Sequence, residues 1–114
     1  MIVSLLTYCT PSKEITERAD TIFTESDYNM GLELVRQSDC FTCHKINERN
    51  VGPAFRDIAN KYERISESVI EKLSNKIRNG GSGSWGTVPM APHSRHSKSE
   101  TEAMIKYILL TKYK

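Results

Sequence analysis

At 114 residues the chain can form one domain, or one domain and a tail, around a modest core. Hydrophobic residues make up 38% and charged residues 26%, which excludes a disordered or fibrous chain, and no span approaches the roughly 18 apolar residues of a membrane helix. The formal net charge of +2 comes from interspersed acids and bases, which excludes the basic footprint of a nucleic-acid binder.

Met1 to Tyr8 is short and apolar, and the stretch from Cys9 to Thr24 is polar and charged, with Pro11 and Ser12 opening it. Residues 1–25 are expected to be a signal remnant or lipoprotein-like segment with a flexible tether, and residues 26–114 the folded domain. That domain is expected to begin near Ser26 or Asp27, either of which can cap a helix. A helix follows over Tyr28 to Gln37, with Met30, Leu34 and Val35 toward one face and Gly31 beside them, and it runs straight into Cys40. Asn50, Gly52 and Pro53 mark a loop. Phe55 to Tyr62 predicts a short helix. Ser66 to Asn79 predicts a longer one, capped by Ser66, stapled by Ile65 and Ile70, with Val69, Leu73 and Ile77 on one face. The segment from Gly80 to Pro92 holds most of the glycines and shows no strand pattern, so it reads as one long irregular loop of the kind that carries function. Ser97 and Glu100 form a capping box for a last helix to about Tyr113, with Met104, Ile105, Ile108 and Leu109 as its stripe.

Cys40-Phe41-Thr42-Cys43-His44 is a C-x-x-C-H run, the attachment signature of c-type haem. Two thiols three positions apart can form thioethers to two vinyl-derived groups on one porphyrin edge, and the adjacent imidazole then lies under the iron. A thioredoxin-like redox pair needs a βαβ context that is not visible here. A structural zinc site would have to recruit His93 and His96, whose two-residue gap is shorter than the usual three to five. Iron needs a sixth ligand or an open face. Met90, between Pro89 and Pro92, is the leading candidate, since prolines stiffen the loop around it. His93 or His96 is the alternative. Met30 and Met104 have core spacing, the usual role of a methionine.

With these residues in place, the chain resembles the short bacterial class I cytochromes c, single-haem periplasmic electron carriers. The resemblance runs from about Met30 to Tyr113. It rests on the C-x-x-C-H run, on Val51-Gly52-Pro53-Ala54-Phe55, on the stretch from Lys76 to Gly86, and on Val88-Pro89-Met90-Ala91-Pro92. It implies an all-α fold of three to five helices around one covalently bound haem c, held by Cys40 and Cys43 and ligated by His44 and Met90. It implies that the Pro53 carbonyl accepts the His44 N–H, that Trp85 donates to a haem propionate, and that Arg78 or Lys76 pairs with a propionate. It also implies that the first and last helices cross at Gly31. The chain departs from the family's usual prolines at Thr87 and Ala91, and has His93 where asparagine is common.

The implied function is electron transfer between larger redox proteins, such as a dehydrogenase, a reductase or a terminal oxidase, without catalysis at the haem and without nucleic acid. The carrier is expected to be monomeric and periplasmic, because this haem is attached outside the cytoplasm. Leu6-Thr7-Tyr8-Cys9 resembles the end of a lipoprotein signal. Cys9 then either anchors the domain to a membrane through lipid or is an incidental cysteine of the tail.

Overall fold

The computed structural model describes residues 23–113; the apolar start, Cys9 and most of the expected tether lie outside them. In chain order the elements are α1 (Glu25–Gln37), α2 (Cys40–Cys43), α3 (Phe55–Lys61), α4 (Glu67–Asn79), β1 (Gly81–Gly83), β2 (Gly86–Met90), α5 (Lys98–Leu110) and a 3-10 turn (Thr111–Tyr113). The all-α expectation holds, with one correction. The stretch read as wholly irregular contains a small antiparallel hairpin, in which Gly81 pairs with Met90 and Gly83 with Gly86.

Helix α1 starts earlier than expected. Thr24 is its cap, accepting from the Asp27 N–H, while the Asp27 carboxylate accepts from the Thr24 N–H at 3.2 Å. Neither Ser26 nor Asp27 is the cap: Asp27 is the return arm of the box. Nor does α1 run straight into Cys40. Ser38 closes it, and Asp39 then adopts a left-handed φ of +59° that turns the chain into α2. Ser66 caps α4 and Ser97 with Glu100 boxes α5, as the sequence predicts. Ile65 and Ile70 both join the core.

Helix α5 is the hub. It packs against α1, α3 and α4 and buries Met104, Ile105, Ile108 and Leu109 with Ala103 and Tyr107. A helix apolar on so many sides must be surrounded. Val35, Phe55, Met104 and Leu109 are essentially sealed from water, each contributing roughly 1.5–3 kcal/mol by burial. Met30 is a further correction, since it is 49% exposed and lies off the core. The crossing at Gly31 is as expected: a Cβ there would collide with the Ala103 carbonyl oxygen and come within 2.8 Å of the Tyr107 Cβ. Tyr107 packs on Tyr28 of α1 at 5.2 Å between ring centres and edge-on to Phe55 of α3 at 6.2 Å.

Candidate cofactor site

The turn after Asp39 makes α2 a single helical turn, so Cys40 and Cys43, three apart, share a face. His44 leaves that turn in extended backbone, its N–H on the Cys40 carbonyl at 2.8 Å. The following loop folds back on this turn. Gly52 N–H reaches the Cys43 carbonyl at 2.8 Å, and Phe55 N–H the Lys45 carbonyl at 2.9 Å. Those bonds fix the Pro53 carbonyl 2.7 Å from His44 Nδ1. A carbonyl only accepts, so Nδ1 carries the proton and Nε2 keeps its lone pair. Phe55 stacks on the ring at 5.3 Å with planes 20° apart. Gly52 has to be glycine here, because a Cβ would strike the imidazole.

The opposite wall is the hairpin and the arm after it. Gly80 enters the hairpin at φ +68°, ψ −159°, a region essentially reserved for glycine, and its added Cβ would meet the Met90 carbonyl oxygen at 2.5 Å. His93 N–H binds the Ile77 carbonyl at 2.8 Å, laying the arm across the end of α4. Met90 is half-buried against the core.

Between these walls lies a cavity of about 490 Å³. Its apolar floor is Ile58, Leu73, Ile77, Ile105 and Ile108, and its rim carries Cys40, Cys43, His44, Pro53, Trp85 and Met90. Burial pushes the Cys40 thiol up to about 11, so it stays neutral at physiological pH. His93 also lines the cavity; burial, and then the nearby His96 and Arg95, lower its pKa. An apolar cleft offering two thiols, one imidazole nitrogen and a thioether fits a covalently held haem: soft and borderline donors face a large flat apolar guest.

Six of the seven sequence-predicted site residues meet at this cavity; Arg78 does not. Its guanidinium binds Ser74 Oγ at 3.0 Å and Thr101 Oγ1 at 2.9 Å, and also the Asn75 side chain. Lys76, the alternative, lines the cavity with Leu73 and Ile77. His96 is not part of the lining, because its ring binds Ser38. Among the described residues no group of three or more His, Cys, Asp or Glu side chains comes together, so the zinc alternative finds no donor set there. Sequence reasoning missed Arg49 at the rim, and it gave Gly52 no steric role. The steric need for Gly52 lies in the fold of the loop, where no spacing rule displays it.

A few helices wrapped around one apolar cleft, with C-x-x-C-H on one wall and a methionine arm on the other, define a class I haem protein of the c type. Residues 29–112 match the cytochrome c family, and the chain belongs to it. It is 39% identical over 80 residues to cytochrome c-552 of Hydrogenobacter thermophilus, covering 70% of this chain and 80% of that one. It is 37% identical to cytochrome c-551 of Allochromatium vinosum, covering 68% and 82%. The crystal structure of Nitrosomonas europaea cytochrome c552 superposes with a TM-score of 0.64 at 35% identity, over 70% of this chain and 98% of that one. The protein is accordingly a short class I cytochrome c with one covalently bound haem c, an electron carrier and not an enzyme.

Proposed function

We propose that Cys40 and Cys43 carry the two thioethers, that His44 and Met90 are the axial ligands, and that the protein shuttles single electrons between redox partners outside the cytoplasm. The observation that supports this most is the convergence on one cavity of both thiols, the Pro53-oriented imidazole and the Met90 arm. Bound haem supplies the one-electron change between ferric and ferrous iron. The chain's own residues do the rest. Cys40 and Cys43 would hold the haem covalently through their sulfurs. Pro53 holds the imidazole proton on Nδ1, which directs Nε2 to the metal and raises its basicity. The apolar floor excludes water, and Trp85 and Lys76 serve the propionates, with Arg78 left to a structural role.

Met90→Ala is the direct test. The ferric protein should lose the red absorption band of methionine–iron coordination, bind added imidazole readily and show a lower reduction potential. An unchanged spectrum and potential would transfer the ligand role to His93, which His93→Ala would then reveal.

A further inference from the structure

The two walls of the cavity come from separate parts of the chain. The Ser38–His44 corner brings Cys40, Cys43 and His44, and the Met90–Ser97 arm brings Met90 and His93. A side-chain bond joins them directly. Ser38 Oγ lies 2.8 Å from His96 Nε2. The same hydroxyl is 2.6 Å from the Leu34 carbonyl, which can only accept, so its one proton goes there. It can then only accept from the imidazole, which places a proton on Nε2. The other ring nitrogen, Nδ1, faces the Glu100 carboxylate at 3.7 Å. Glu100 is itself fixed, with its other oxygen on the Ser97 N–H at 2.9 Å.

This bond is shielded. Ser38 is 2% exposed and the His96 side chain 14%, so water does not readily replace either partner. Met90 itself is tied to the hairpin by its pairing with Gly81, but the stretch that follows it has little other backbone support. Ser38 ends α1, and Asp39 next to it takes the left-handed turn that aims Cys40. On the other wall, His96 N–H binds the His93 carbonyl at 3.3 Å and His93 N–H binds the end of α4, while Ala91, Pro92, Ser94 and Arg95 are exposed.

We infer that His96 is a positioning residue for Met90: its bond to Ser38 fastens the methionine arm to the cysteine corner and so sets how readily that arm leaves the cavity. The inference rests on Met90 being an axial ligand, as proposed above.

The test uses the ferric holoprotein and the rate at which added imidazole replaces the methionine, since the entering ligand must wait for the arm to release. His96→Phe, which keeps a ring but no donor, and Ser38→Ala should each raise that rate about 5- to 10-fold, the equivalent of one shielded hydrogen bond. The double variant should be no faster than either single one, and His96→Gln, which keeps an N–H donor, should stay within about twofold of the wild type. A wild-type rate in His96→Phe, or multiplying effects in the double variant, would overturn the clasp. Should His96→Phe give no holoprotein, nitrogen-15 NMR of the wild type decides: a proton on Nε2 is expected, and an Nδ1-only tautomer rules the bond out. If the wild-type ferric protein lacks the methionine–iron band, the ligand assignment fails. If the band is present and the rates do not move, only the clasp fails.

Discussion

Arg78 and Lys76 stand two positions apart on α4 and serve different neighbours. Ser74 and Arg78, one turn apart, face α5, where the Ser74 and Thr101 hydroxyls lie 2.6 Å from each other and both accept from the guanidinium. Leu73, Lys76 and Ile77 lie along the adjacent stripe and line the cavity. Helical spacing separates these stripes in the sequence, but it does not say which neighbour each one meets, so the sequence leaves the two cations interchangeable. The structure predicts that they separate by experiment. Arg78→Met should lower stability by about 1–3 kcal/mol, the cost of unpairing buried hydroxyls from a charged donor, and leave the reduction potential nearly unchanged. Lys76→Met should do the reverse. It removes a positive charge from the cavity wall, which favours the ferric state, and should lower the potential by on the order of tens of millivolts, the equivalent of about 1 kcal/mol of partly screened Coulomb energy. Redox titration beside urea unfolding of both variants checks this; a larger potential shift in Arg78→Met would return the propionate role to Arg78.

The helices are set by their first turns. Helices α1 and α5 both open with capping boxes, whose acids are Asp27 and Glu100. Burial pulls the Asp27 carboxyl upward, but bonds from Thr24 and the charge of Lys106 outweigh it and hold it below its ordinary 3.8. Glu100 is likewise held below 4.5, chiefly by the Ser97 backbone N–H. A carboxyl depressed in the folded chain stabilises the fold above its unfolded value, and that stabilisation is lost as the pH falls through the folded one. Stability should therefore decline on acidification below about pH 4. Asp27→Asn should cost about 1 kcal/mol near neutrality and flatten this acid limb, as urea unfolding at several pH values would show; parallel limbs would remove Asp27 from the account. The boxes also explain what was legible. Ser66 directly follows Ile65, which staples to Ile70, and Ser97 has Glu100 three residues on, so the starts of α4 and α5 read directly. At α1 three capping residues crowd together in Thr24, Ser26 and Asp27, and sequence cannot rank them without knowing which carboxylate folds back. The hairpin was hidden for another reason. It is nearly all exposed, so it has no apolar alternation, and its strands are led by glycines.

For the molecule as a whole, the long-range pairing of a cysteine corner with a methionine arm was legible only because C-x-x-C-H and the proline-flanked methionine each carry chemistry. Folding then brings a particular surface to the mouth between them. Val51 and Val88 border the cavity while 53% and 58% exposed, and Arg49 and Lys76 stand on the same rim. Exposed valines at a cofactor's mouth bury well against a partner's apolar patch, and two cations beside them favour an acidic rim on that partner. The formal net charge of only +2 makes the long-range attraction weak, so local charge at the mouth should dominate the encounter. Electron exchange with an anionic inorganic oxidant should slow as salt is added, because exposed charges are screened within about 10 Å at 0.1 M. A cationic oxidant should show the opposite trend. Val88→Asp places a like charge in the path of the anion and should cut its rate several-fold while speeding the cationic reagent, with the reduction potential changed far less than the rates. Stopped-flow measurement with both reagents settles the matter: if Val88→Asp leaves both rates and their salt dependence at wild-type values, electrons cross some other part of the surface.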